Sequence, residues 1–378
     1  VLDKRQLSIK ITANSIYGQT GAKTSPFYAM DVAASTTATG RSLLLFAKSE
    51  IERNFGRGSV HETSVGAVAV DADCVYGDTD SVFVAFKPSL AGVALEGKAA
   101  LKASIELGQQ AGACVTKQLK QPHDLEYEKT FYPLCLLSKK RYVGLMYETD
   151  VEKCQRKSMG IVLKRRDNAA VVKDIYGGVI DIIMTKQDVG QATRFLDQSL
   201  GGIAAMPIDK LVITKSLRSN YAAPERIAHK VLAERIADRD PGNAPRSGDR
   251  IAYVHIVPKG KSKGARMGDR IETVAYVQQK RLPIDYGYYV TNQIMNPIQQ
   301  LFALVLEQLD GFAAVRAEYE KRLEKIYETC YDDETCARKS AELRAKITGK
   351  LLFDPTLRAL TNKGNRQSEL TSFFGSKP

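Results

Sequence analysis

Between residues 65 and 86, two valine-rich stretches are interrupted by the hexapeptide Tyr76-Gly77-Asp78-Thr79-Asp80-Ser81. The alternation on either side predicts two strands, and Gly77 with the paired Asp residues predicts a tight turn between them. Two carboxylates two residues apart at such a turn project into one small volume and repel each other there. A hard divalent cation relieves that repulsion, and Mg²⁺ is typically held by a few carboxylates together with substrate phosphate. An isolated D-x-D is more often an ordinary acidic turn. The whole hexapeptide, set between Val75 and Val82-Phe83, is a much rarer pattern and the strongest signal in the chain.

Around this hairpin the pattern is mixed. Residues 1–20 read as a helix stopped by Gly18, and a second helix is predicted from Met30 to Phe55, closed by Gly56 and Gly58. Residues 90–119 read as helix and 125–147 as strands. From residue 168 helices are expected to dominate, at 169–184, 190–199, 225–238, 296–307 and 313–350. Residues 366–378 read as a mobile tail. The predicted class is α+β. Of 378 residues, 44% are hydrophobic, enough for two or three cores. The net charge of +12 favours a polyanionic partner, although a solvated basic surface gives the same sum. No stretch approaches the roughly 18 apolar residues that span a bilayer, and no secretory signal is visible. The six scattered cysteines form no C-x-x-C pair, which points to free thiols in an intracellular reducing compartment.

Three further patterns carry chemistry. Lys10, Asn14 and Tyr17 stand at i, i+4 and i+7 of the first helix, so a cation, an amide and a phenol share one face. Such a row suits a nucleoside triphosphate, though spacing alone fits a solvated face equally well. Lys139-Lys140-Arg141-Tyr142 is a cationic cluster ending in an aromatic, as a phosphate backbone would require. Lys164-Arg165-Arg166 and the loop 259–266 repeat the theme, and basic runs are also common on plain surfaces. In the tail, Leu370, Phe373 and Phe374 make an apolar plug that implies a partner pocket, with a fraying terminus as the bland alternative. The four His are isolated.

These residues, in this order, resemble family B DNA polymerases. Residues 10–18 resemble the K-x3-N-S-x-Y-G element (motif B), residues 76–81 the Y-G-D-T-D-S element (motif C), and residues 139–142 the K-K-R-Y element. The likeness continues through 160–168, 227–249 and 288–297. Residues 14–22 and 34–41 are most similar to the replicative enzymes of large nucleocytoplasmic DNA viruses. The resemblance implies the end of the fingers at 1–20, a palm at 21–166, a thumb at 167–350 and a flexible tail at 351–378. It further implies that Asp80 binds two catalytic Mg²⁺ ions, with Asp78 supporting them and Glu128 close by. Lys10, Asn14 and Tyr17 would then meet the incoming dNTP. Lys139, Lys140, Arg141, Tyr142, Lys164, Arg165 and Arg166 would grip primer–template DNA. Gln367, with Leu370, Phe373 and Phe374, resembles a clamp-binding box for a PCNA-like sliding clamp.

The family's other essential carboxylate lies in a D-x-x-S-L-Y-P-S stretch that residues 1–378 do not contain. A chain opening inside a helix without Met is therefore expected to be the C-terminal part of a polymerase, partnered by the missing N-terminal part. The implied activity is DNA-directed DNA synthesis in genome replication, in a host nucleus or a cytoplasmic viral replication site. The isolated chain is expected to be inactive. The competing expectation is a DNA- and clamp-binding module without activity.

Overall fold

The computed structural model describes residues 2–258 and 266–364. The chain divides into two compact units. The first takes residues 1–134, 138–140 and 144–157, and the second takes 135–137, 141–143 and everything from 158.

In the first unit, α1 (Leu2–Gly21) has no buried residue. It is followed by α2 (Met30–Phe55), with the bounds read from the sequence. The strands β1 (Ser59–Thr63), β2 (Gly66–Val70), β3 (Asp73–Asp78) and β4 (Ser81–Ala85) come next. Two short strands, β5 (Ser89–Leu90) and β6 (Val93–Ala94), lead to α3 (Gly97–Thr116). The segment 65–86 thus contributes three strands rather than two, because Asp71 and Ala72 break the valine run. One antiparallel sheet has the order β1-β2-β5-β6, and β3 pairs with β4 alone. Ala47, Ile51 and Phe55 on α2 recur every fourth residue, as do Leu107, Ala111 and Val115 on α3. Each set therefore forms one helical face, and the two faces meet Val68, Val70 and Phe86 in a single core. Glu50 is buried beside this core, where Gln118 Nε2 (2.7 Å) and the Arg53 guanidinium satisfy its carboxylate. A Cβ at Gly112 would lie 2.7 Å from the Leu125 carbonyl oxygen, so the glycine lets residues 125–127 run against α3.

A third sheet has the order β7 (Thr130–Ser138), β8 (Arg141–Tyr147), β9 (Gln155–Met159).

The second unit opens with α4 (Ala170–Lys186) and α5 (Val189–Gly201), the latter capped by Asp188, which accepts from the Gln191 N–H at 2.8 Å. This half is less purely helical than its pattern suggests. The strands β10 (Ile213–Ser216), β11 (Arg250–His255) and β12 (Ile271–Glu272) form a sheet that flanks α6 (Ala228–Arg239) in sequence. Two of these strands have four residues or fewer, too short to show a period. After α7 (Val274–Lys280), α8 (Tyr286–Tyr288) runs through a π-helical turn at Tyr289–Ile294 into α9 (Met295–Phe302). The helix expected over 313–350 is two helices, α10 (Phe312–Thr329) and α11 (Asp333–Gly364). The chain turns extended at Cys330 (ψ 137°), and Asp332 Oδ1 accepts from the Thr335 N–H at 2.7 Å to cap the new helix. No Gly or Pro marks the break. Helix α11 continues past residue 350 because Leu352 and Phe353 are buried.

Among the described residues no helix is long and apolar enough to cross a membrane. All six cysteines are unpaired.

Candidate catalytic hairpin and nucleic-acid interface

Strands β3 and β4 pair antiparallel and close at Asp78↔Ser81, so Thr79 and Asp80 make the turn. The Asp80 N–H donates to the Asp78 carbonyl at 2.7 Å, and Thr79 at the centre has φ +59°. A β-branched residue in the left-handed region is strained, and such strain persists only where the surroundings over-determine it. The register slips between Cys74 and Tyr76, leaving Val75 as an extra residue in β3. The Tyr76 ring packs against Phe83 (5.3 Å between centroids), which in turn stacks on Phe131 (6.0 Å). A Cβ at Gly77 would come 3.2 Å from Leu44 Cδ2, so glycine keeps α2 close behind the turn.

A second tight turn, Lys139-Lys140 between β7 and β8, is tied to the first. The Lys140 N–H donates to the Tyr76 hydroxyl at 2.8 Å, and Lys140 Nζ donates to Asp78 Oδ1 at 2.5 Å. Lys140 also has positive φ, +60°. Thr79 Oγ1 donates to the same Asp78 oxygen at 3.1 Å. The Lys140 ammonium, followed by the Thr79 hydroxyl, holds the Asp78 carboxyl below the ordinary carboxylate range, although partial burial opposes this. The same bond raises Lys140. The hexapeptide and the K-K-R-Y element thus share one charge cluster. Tyr76 is the residue the sequence reading left without a role. It stands inside the hexapeptide, but its hydroxyl's partner is 64 positions away.

Asp80 is exposed, and no described residue hydrogen-bonds its carboxylate. The donor set of Asp78 and Asp80 is hard oxygen, which suits Mg²⁺, and Asp80 is available to it. Among the described residues no group of three or more His, Cys, Asp or Glu stands close enough to hold a metal. Glu128 is exposed and pairs with Lys129, so the structure does not gather it with the two Asp residues.

Lys10, Asn14 and Tyr17 lie on α1 and are all exposed, Tyr17 at 43%. No described hydrogen bond or ion pair joins them to the hairpin. Lys139 is exposed, Arg141 half-buried and Tyr142 buried at 8% exposure. Lys164 ends a 3₁₀ turn at Val162–Lys164, and Arg165 and Arg166 after it are exposed. Asp167 is held by Lys215 Nζ at 2.7 Å and more loosely by Arg165 Nε at 3.3 Å, which takes its carboxyl down to about 2. Gln367, Leu370, Phe373 and Phe374 lie outside the described residues, as do residues 259–265.

The DNA polymerase family B model matches residues 1–305, and the chain belongs to that family. It is 48% identical over 383 residues to a DNA polymerase of Pyramimonas orientalis virus, covering 100% of this chain and 30% of that protein. A DNA polymerase of Acanthamoeba polyphaga mimivirus is 40% identical over 71% of the chain and 15% of its own length. The DNA polymerase delta catalytic subunit of Candida albicans is 37% identical over 81% of the chain and 28% of its own length. The resemblance to viral polymerases read from the motifs is therefore met. The chain spans less than a third of the length of each of these relatives. The family B DNA polymerase of the archaeon Pyrobaculum calidifontis has a similar fold, with a TM-score of 0.52 and 22% identity over 79% of this chain and 33% of that one.

Proposed function

We propose that this chain is the part of a replicative DNA-directed DNA polymerase that carries motif C, much of the palm and the thumb, and that it works in viral genome replication. The observation that carries the reading is the hairpin Tyr76–Ser81, with Asp78 and Asp80 at its tip and Lys140 of the K-K-R-Y element bonded to it. Membership of the family supports it.

In this reading Asp80, exposed and hydrogen-bonded by no described residue, and Asp78, whose carboxyl pKa Lys140 lowers, would hold the divalent cations, with Mg²⁺ the expected ion. When bound, the metal supplies charge stabilisation and lowers the pKa of the primer 3′-hydroxyl. Lys10 and Asn14 neutralise and orient the triphosphate, and Tyr17 packs by the nascent base pair. Lys139, Lys140, Arg141, Tyr142, Lys164, Arg165 and Arg166 track the primer–template backbone. Gln367, Leu370, Phe373 and Phe374 tether the enzyme to a PCNA-like clamp.

The alternative of DNA binding without synthesis is favoured, for the polypeptide 1–378 alone, by one observation. The sequence contains no D-x-x-S-L-Y-P-S stretch, which in the family carries the other essential carboxylate. A Mg²⁺-dependent primer-extension assay on this polypeptide, with DNA binding measured in the same tube, separates the two. Binding without extension, with synthesis restored on adding the upstream portion, is the expected result. In the complete polymerase Asp80→Asn should abolish synthesis and spare DNA binding. Loss of both together would make Asp80 structural and defeat the reading.

A further inference from the structure

The loop 164–167 carries two of the exposed cations assigned above to DNA, and it is held from the neighbouring sheet by a residue that nothing so far has given a role. Arg250, the first residue of β11, pairs with Ser216 of β10. Its guanidinium donates through Nε to Thr214 Oγ1 (3.2 Å) and through Nη1 to Ser216 Oγ (3.1 Å). Nη2 reaches Thr214 Oγ1 (2.7 Å), the Thr214 carbonyl (3.1 Å) and the Arg166 carbonyl (3.4 Å). The Thr214 hydroxyl itself donates to that Arg166 carbonyl at 3.2 Å. One residue further along, Lys215 Nζ holds Asp167. The loop is thus fastened to β10 through the backbone carbonyl of Arg166 and the side-chain carboxylate of Asp167, while the side chains of Arg165 and Arg166 stay exposed.

Among the described residues every acceptor of Arg250 is a neutral oxygen, and no carboxylate pairs with it. An arginine whose whole fork goes to hydroxyls and carbonyls is serving as a geometric bracket, a task that needs several donors in fixed directions. Arg165, by contrast, meets the Asp167 carboxylate through Nε at 3.3 Å and Nη2 at 3.4 Å, both longer than the 2.7 Å bond from Lys215.

We infer that Arg250 is a positioning residue for DNA binding, clamping the Arg166 carbonyl to β10 so that Arg165 and Arg166 are presented to the primer–template backbone in a fixed arrangement. This rests on the DNA-binding reading above. A loop already ordered in the free protein binds without first losing conformational freedom, so the benefit is one of preorganisation.

The test is the affinity of this chain for a primer–template duplex, measured by fluorescence anisotropy across a salt series, with thermal midpoints for each variant. Arg250→Ala should weaken binding about 3- to 10-fold at every salt concentration with the log–log salt slope unchanged, because Arg165 and Arg166 remain available. Arg250→Lys should lose as much, since an ammonium keeps the charge but not the fork. In the Arg165→Ala/Arg166→Ala background, Arg250→Ala should have no further effect. A slope shallower by about 0.7–0.9 for Arg250→Ala would mean that Arg250 touches phosphate directly, and the positioning role would be overturned. Wild-type affinity in Arg250→Lys would overturn it as well, leaving only a charge effect. If Arg165→Ala/Arg166→Ala binds like the wild type, the DNA-binding reading of this loop fails, which is distinct from full additivity, where only the inference fails.

Discussion

Replacing Tyr76 by Phe removes one oxygen and leaves the ring that packs on Phe83 at 5.3 Å. The hydroxyl lost is the acceptor for the Lys140 N–H at 2.8 Å. The amide is exposed, so water replaces the lost partner and the cost falls at the lower end of hydrogen-bond values, about 0.5–1 kcal/mol. That small sum matters because Lys140 holds a left-handed backbone (φ +60°), which in a non-glycine residue costs on the order of 1 kcal/mol. The bond and the strain are of equal size, so removing the bond lets the turn relax. A shift of about 1 kcal/mol changes its population about fivefold, and Lys140 Nζ then leaves Asp78 for part of the time. The expected result is a urea midpoint lowered by less than about 1 kcal/mol of stability. DNA affinity and primer extension by the complete polymerase should fall together, about two- to fivefold. Unchanged affinity and extension would show that the link between the two turns is incidental. Abolished binding with full stability would place the hydroxyl in direct contact with DNA, and the mechanical argument would fall.

The pH dependence of the second unit should carry the mark of Asp167, whose carboxyl is depressed to about 2, first by Lys215 and then by Arg165. A depressed acid stabilises the fold above its unfolded value and loses that contribution as pH falls through the folded one. Lys215→Met should therefore cost about 1 kcal/mol at pH 7, the full shift being roughly halved for solvent screening, and almost nothing near pH 2; equal losses at both pH values would reject this. Glu272 is buried at 4% exposure and takes a bidentate bond from Arg239 (3.1 and 2.9 Å). Glu272→Gln should cost about 1 kcal/mol by chemical denaturation, because the Arg239 it releases is exposed and can turn to water, and a loss near about 3 kcal/mol would mean that the pair is shielded from solvent. In the tail, Phe373→Ala with Phe374→Ala should remove clamp-stimulated processivity and spare distributive synthesis, whereas equal loss of both would exclude the clamp box.

What the sequence made legible was local. The bounds of α2 follow from the turn-rich residues 21–26 before it and from Gly56 and Gly58 after it, and the hairpin tip follows from Gly77, Asp78 and Asp80 within four positions. The break between α10 and α11 was hidden because Asp332 makes it by capping alone, with no Gly or Pro. The bulge at Val75 leaves no compositional trace either.

The contacts that turn motifs into a site are between distant residues, and this decides what a motif can say by itself. Asp78 and Lys140 stand 62 positions apart, Arg166 and Arg250 84. Read singly, an acidic turn and a basic turn are each ordinary surface features. Two strained, positive-φ turns bonded through both a backbone amide and an ion pair are not, because neither relaxes without releasing the other. The order and spacing of the motifs were evidence for the family. The bond between them is what makes one site of two turns, placing the cation next to the carboxylate whose pKa it lowers.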